Sequence, residues 1–400
     1  MHIAPDNELL QYSGRIDFEE PAAPVFVFPC SSVALHFIVR GNVPEEADCG
    51  DDRPDQDKTS GGENASGVAN DSGQKNASVR GNVSGQETAS GHGSAITVTV
   101  TNKNAYCDNY LGYILDGEQG KLRIENMERQ ICTITESLAP GEHSLLLFKR
   151  MDSCHTFTLH GIEIRGAVEL LPCPSKPTRR IEVYGDSVSA GEVSEAVDYV
   201  GKPDPEWRNG ELSNSWYSYS WITARKLNAE IHDIAQGGVA LIDGIGWYND
   251  TDYVGMESIY DKIQYSPALG VTKSWDFSLW TPQVVVVAVG QNDSHPYDFM
   301  KEDYEGAQAA HWRECYGTFV RRIRSLYPEA EVILATTILE HDKSWDLAID
   351  SVCNALNDPK VHHFLYKRNG AGTPGHIRIP EAEEMAEELA GYIETLGIPW

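Results

Sequence analysis

Residues 179 to 192 read RRIEVYGDSVSAGE, and this stretch decides how the second half of the chain is read. Ile181 and Val183 form an apolar alternation, Tyr184-Gly185-Asp186-Ser187 closes it, and small residues run on to Gly191. Gly, Asp and Ser are favoured turn formers, so one reading is a plain exit turn. The other is a tight strand-to-helix turn that presents Ser187 as a nucleophile. The motif alone fits both, and the rest of the chain has to choose.

Downstream, apolar runs alternate with helical patterns. Strands are expected at IEVYG, AEIHDIA, QVVVVAVG, AEVILATT and HHFLY, and helices at SWYSYSWITARKL, AHWRECYGTFVRRIRSL and EAEEMAEELAGYIETL. Such alternation predicts a parallel sheet with helices on both faces, with sites at the carboxyl ends of its strands. Upstream, PVFVFPCSSVALHFIVRG, AITVTVTNKN, NYLGYILDG, HSLLLFKRM and HTFTLHGIEIRG alternate with period two between Gly, Asn and Asp, which predicts a β-sandwich. The expected organisation is a sandwich over residues 1–170, a Pro-rich linker over 171–180 and an α/β domain over 181–400. Residues 42–95 interrupt the sandwich with a polar, low-complexity insertion that has little to bury. Within it Asn64, Asn70, Asn76 and Asn82 each precede a Ser by two positions, a pattern read as a degenerate repeat rather than as glycosylation acceptors.

With 400 residues, 41% of them apolar, the chain can bury a sizeable core. A formal net charge of −28 repels phosphate backbones and anionic lipid, so neither nucleic acid nor a membrane is an expected partner. The first residues, MHIAPDNE, lack the basic start and apolar centre of an export signal, and a cytoplasmic location is expected. None of the eight cysteines stands in a Cys-x-x-Cys pair or near a His at zinc-site spacing, so reduced thiols and no metal are expected.

Two further strand ends and one loop carry the residue types of acyl transfer. Gly237-Gly238 follows the second strand, Gly290-Gln291-Asn292-Asp293 follows the third, and His376 stands in a Gly-rich loop before the last helix. Taken singly, each is an ordinary turn or loop residue. In chain order at the ends of one sheet they supply a nucleophile (Ser187), a base (His376) and oxyanion donors. The donors are the Ser187 N–H, a glycine N–H at 237 or 238, and the Asn292 amide. Asp186 and Asp293 are read as braces for their turns.

At this point the chain resembles the SGNH (GDSL-like) hydrolases, whose four blocks match Ser187, Gly238, Asn292 and His376; Gly238 is preferred to Gly237 because GVAL follows it. Within that group it resembles the acetyl esterases of carbohydrate esterase family two. The likeness runs through YSGRIDFEEP, NYLGYILDGE, GEHSLLLFKR, NSWYSYSWITARKLNAE, WDFSLWTPQVVVVAVGQND and GAGTPGH, the whole chain except the insertion. The resemblance implies a flavodoxin-like three-layer hydrolase domain preceded by a small jelly-roll sandwich. It also implies removal of O-acetyl groups from mannan-, xylan- or glucan-type polysaccharides or oligosaccharides, with no cofactor. The positions two and three before the histidine, where that fold and branch carry an acid, are Pro374 and Thr373 here. A Ser-His dyad is therefore expected, with a backbone carbonyl of Gly372–Pro374 orienting the imidazole; a distant Asp or Glu is the alternative.

All nine tryptophans lie in the second half of the chain. Trp221, Trp280 and Trp312 are read as core, whereas Trp247 and Tyr248, and after them Trp345, are candidate sugar contacts. His295 either lines the site mouth or caps its turn. A sialate O-acetylesterase-like enzyme of the same fold is the alternative function. A catalytically dead carbohydrate-binding protein would have lost Ser187 or His376, and both are present.

Overall fold

Side chains along Ser32–Arg40 and Ile96–Lys103 alternate between buried and half-buried, the two-residue period of strands with one face on a core. The computed structural model describes residues 1–40, 94–126, 128–207, 210–247, 253–265 and 272–400, so the expected insertion lies almost wholly outside the described residues. One antiparallel sheet runs in the order Ile16–Asp17, Val25–Phe26, Thr156–Ile164, Ile96–Lys103, Gln130–Thr135, with His2–Ile3 beside Thr156–Ile164. The other runs Ala167–Leu171, Ser32–Arg40, Gly141–Lys149, Asn109–Leu115, Glu118–Ile124, with Gln11–Ser13 on Ser32–Arg40. Val33, Leu35, Phe37 and Val39 of one sheet share a core with Val98, Val100, Phe157 and Leu159 of the other.

The second half forms a five-stranded parallel sheet. Its strands, in chain order, are Arg179–Gly185, Ala229–Ala235, Val284–Ala288, Glu331–Ala335 and Val361–Phe364, and their order in the sheet is second, first, third, fourth, fifth. The third strand is buried on both faces. Val284, Val286 and Ala288 face the core formed with helices Tyr219–Lys226 and Ile379–Thr395; Val285 and Val287 face that of Ala307–Leu326 and Lys343–Leu356. This is the three-layer arrangement expected. Two local details differ. The expected helix SWYSYSWITARKL breaks at Ser218, whose extended backbone (ψ 148°) and hydroxyl cap Tyr219–Lys226 behind a 3₁₀ turn. Helix Lys343–Leu356, capped by Asp342, is not among the helices expected from the sequence pattern.

Sandwich and parallel sheet share side chains: Met1–Arg40 and Gly93–Trp400 make up one unit. Phe148, at the end of a sandwich strand, packs on Trp221 with ring centres 5.5 Å apart. Arg15, fully buried, pairs with Glu182 of the first parallel strand at 3.2 Å and faces the rings of Phe28, Trp275 and Phe277.

His155 sits buried beside this junction, and burial pulls its imidazole down to about 4. The unfolded chain takes up a proton near 6.5 that the folded chain refuses until about 4, so stability falls as pH drops through that window. Shifts of this size are worth on the order of 3 kcal/mol. The stability gap between wild type and His155→Phe, from urea unfolding, is therefore expected to narrow by about that amount between pH 7 and pH 4. A gap constant with pH would show that His155 is not the group responsible.

Candidate active site

In a sheet of order 2-1-3-4-5, neighbouring crossovers diverge between the first and third strands, opening a crevice at their carboxyl ends. The first strand stops at Gly185, and Asp186 caps the short helix Ser187–Ala190 by accepting the Val188 N–H at 2.9 Å. Gly191 ends that helix in the left-handed region (φ 75°), where a Cβ would stand 2.5 Å from the Asn214 carbonyl. Ser187 is thereby fixed on a one-turn helix with little freedom. Asp186 also accepts from Gln291 Nε2 at 3.3 Å and Asn292 Nδ2 at 3.2 Å, tying the first and third strand ends together. Burial pushes its carboxyl up to about 6, against the pull of the Val188 N–H.

The double glycine divides its work. The Gly237 N–H donates to Asp152 Oδ2 at 2.6 Å and is therefore committed. Gly238 adopts φ 73°, which favours glycine, and lines the crevice. Its carbonyl accepts the Trp247 N–H at 3.2 Å, while Gly246 donates to the His295 carbonyl at 3.1 Å, so this loop folds back onto the exit of the third strand. Asp293 braces that fold-back by accepting the Leu241 N–H at 3.0 Å and the Trp312 indole at 2.7 Å, a longer reach than the local turn contact expected. Burial pushes its carboxyl up to about 7.

His376 enters from the loop before helix Ile379–Thr395. Its Nδ1 lies 2.7 Å from Asp204 Oδ2. The expectation of a backbone carbonyl in that place is thus corrected: the distant-carboxylate alternative holds, from a loop 172 residues away. Fully buried Arg378 donates to Asp204 Oδ1 at 2.9 Å and to the His376 carbonyl at 2.6 Å, fixing both partners at once. Gly375 (φ 86°) is needed for the same contact, since a Cβ there would come within 2.8 Å of the Asp204 carboxylate. Thr373 Oγ1 accepts the Gly201 N–H at 2.7 Å and further holds the two loops together.

Ser187, Gly238, Asn292 and His376 all line one cleft of about 670 Å³, together with Trp247 and His295. Trp247 is 62% exposed, with its ring 4.5 Å from that of His295. Burial lowers the His295 imidazole. Trp345 is not at the cleft, which corrects its reading as a sugar contact: helix Lys343–Leu356 turns it inward, where its indole donates to Asp298 at 3.1 Å and packs edge-on against Phe299 and Trp312. Tyr248 lies outside the described residues. Residues not anticipated at the cleft are Tyr106, which comes from the sandwich, Asp204, and the acids Glu192 and Glu340; Glu192 Oε2 stands 3.7 Å from His376 Nε2. Among the described residues no cluster of three or more His, Cys, Asp or Glu is arranged to hold a metal. His362 and His363 turn to different partners, Glu331 and Asp350.

Residues 73–174 match the profile of the carbohydrate esterase 2 N-terminal domain. The chain is similar to family two carbohydrate esterases in sequence and in fold. It is 27% identical to the cellulase/esterase CelE of Acetivibrio thermocellus over 98% of its own length, but spans only 40% of that protein. It is 28% identical to an acetylxylan esterase / glucomannan deacetylase of Cellvibrio japonicus, over 76% of this chain and 80% of that one. A solved family two carbohydrate esterase from Clostridium thermocellum, in complex with cellohexaose, shares its fold with a TM-score of 0.69 at 24% identity, covering 97% of this chain and 99% of that one. Among the described residues no helix is long and apolar enough to cross a membrane.

Proposed function

We propose that this chain is a family two carbohydrate esterase that removes O-acetyl groups from neutral plant polysaccharides or their oligosaccharides, through an acetyl-serine intermediate. The observation that carries the proposal is the pairing of His376 Nδ1 with Asp204 inside the cleft that Ser187 also lines. With Nδ1 paired to Asp204, the mechanism assigns Nε2 to Ser187. Ser187 Oγ attacks the acetyl carbonyl and passes its proton to His376, and Asp204 stabilises the imidazolium. The carbonyl oxygen, now negative, is held by the Ser187 N–H, the Gly238 N–H and the Asn292 N–H not given to Asp186. Collapse expels the sugar hydroxyl with the proton from His376. Water then repeats the sequence to release acetate. The step calls for no cofactor. We read the two-sheet sandwich as a jelly roll, residues 171–180 as the linker and 181–400 as the catalytic domain. Trp247, exposed at the cleft and tilted against His295, is a platform for a sugar ring.

The cleft argues for neutral sugars over the sialate-like alternative. Glu192, Asp204 and Glu340 line it, and among the described lining residues there is no Lys or Arg. With Asp204 paired to Arg378, a substrate carboxylate brought within a few ångströms of Glu192 or Glu340 meets repulsion of about 1 kcal/mol from each, even at the dielectric of water. Acetate release from acetylated glucomannan and xylan is thus expected to exceed that from an O-acetylated sialic acid by at least about tenfold in kcat/KM, with the gap shrinking at high salt. Preference for the acidic sugar would overturn this reading of the substrate.

A further inference from the structure

We infer that Asp152, a residue of the sandwich, is a positioning residue for the oxyanion site of the parallel sheet; the inference rests on the acyl-transfer reading above. Asp152 is 2% exposed and lies on the loop leaving sandwich strand Gly141–Lys149. Its Oδ2 takes the Gly237 N–H at 2.6 Å, next to the proposed donor at Gly238. The contact explains the double glycine residue by residue. A Cβ at 237 would stand 2.9 Å from Asp152 Oδ2 and 3.0 Å from Glu192 Oε2, so a side chain there would crowd the carboxylate that takes the 237 N–H. Position 238 favours glycine for its own backbone, at φ 73°.

The loop that carries Asp152 is itself clamped. Lys149 Nζ, fully buried, donates to the Met151 carbonyl at 2.7 Å and the Asp152 carbonyl at 2.5 Å. Ser153 donates twice to the Ala235 carbonyl, from its N–H at 3.2 Å and its hydroxyl at 2.9 Å, at the very end of the second parallel strand. The Ser215 N–H reaches back to the Arg150 carbonyl at 3.0 Å. A rigid segment of one layer thus holds the strand exit of the other, and the Asp152–Gly237 bond sets the direction of the peptide that follows. An oxyanion donor works only if it is aimed before charge develops, and a misplacement of about 1 Å can cost about a hundredfold in rate.

Asp152→Ala is expected to lower kcat by about 10- to 100-fold while KM moves less than about threefold, because the cleft walls stay and only the transition-state contact is lost. Inhibition by an alkylboronic acid, which needs the same donors, should weaken in parallel. Asp152→Asn keeps an acceptor oxygen for Gly237 and should restore kcat to within about threefold of wild type. Assays run well below each variant's melting temperature, on protein shown to be folded by circular dichroism. Should Asp152→Ala not fold, Asp152→Ser, whose hydroxyl falls short of Gly237, is judged by the same criteria. A lowered melting temperature with unchanged kcat and boronate affinity would make Asp152 merely structural and overturn the inference. So would an Asp152→Asn variant as slow as Asp152→Ala. Full activity in Ser187→Ala, measured alongside, would instead remove the acyl-transfer reading itself.

Discussion

Ser187→Ala is expected to lower kcat for acetate release by at least about 10⁴-fold while leaving oligosaccharide binding nearly intact. The hydroxyl is the one atom lost. Asp186 still caps the helix at Val188, Gly191 still ends it, and the cleft walls formed by Trp247, His295 and Tyr106 do not depend on it. What remains is a site with donors and a base but no nucleophile. Such sites retain only the residual catalysis that an oxyanion hole and bound substrate give over water. Calorimetric binding of a deacetylated glucomannan oligosaccharide, compared with kcat on the acetylated form, separates the two roles. Activity within tenfold of wild type would mean that another group attacks the ester.

Asp204→Asn is expected to lower kcat by about 10² to 10⁴-fold, with KM changed less than about threefold. The carboxylate accepts from His376 Nδ1 at 2.7 Å and so keeps the proton on that nitrogen, which in the proposed mechanism assigns Nε2 to Ser187. An asparagine can turn its amide N–H toward Nδ1. That favours the opposite tautomer, whose protonated Nε2 cannot act as a base. The change also strips Arg378, buried and 2.9 Å from Asp204, of its charge partner. Removing one partner of a buried pair typically costs about 3–5 kcal/mol, so a lower melting temperature is expected as well. The two effects part in the kinetics: below the melting temperature, a purely structural loss leaves kcat of the folded protein alone. A kcat within threefold of wild type would show that His376 does not need the Asp204 carboxylate to act as the base.

The contrast between Ser187 and Asp204 shows what a sequence of this kind makes legible. Ser187, Gly238 and Asn292 each follow a strand whose apolar run announces it, so their meeting at the ends of one sheet follows from topology. Asp204 follows no strand. It reaches His376 because loops 172 residues apart are pinned by Arg378 and Thr373, a tertiary fact with no local pattern. Gly375 was the available clue: a glycine beside the histidine, in the left-handed region, whose missing side chain is the space that a carboxylate fills. The misplacement of Trp345 has a related cause. Lys343–Leu356 follows the preceding strand after a short turn capped by Asp342, and its helical pattern, which turns Trp345 inward, is not among the helices expected from the sequence.

The shared packing between sandwich and parallel sheet bears on how such a protein can change over generations. Phe148 belongs to one layer by strand and to the other by core, and Arg15 and Glu182 neutralise each other across the same boundary. Neither layer can be exchanged for that of a distant cousin as a cassette, despite the proline-rich seam between them. The two must drift together, each restricting which substitutions the other can accept.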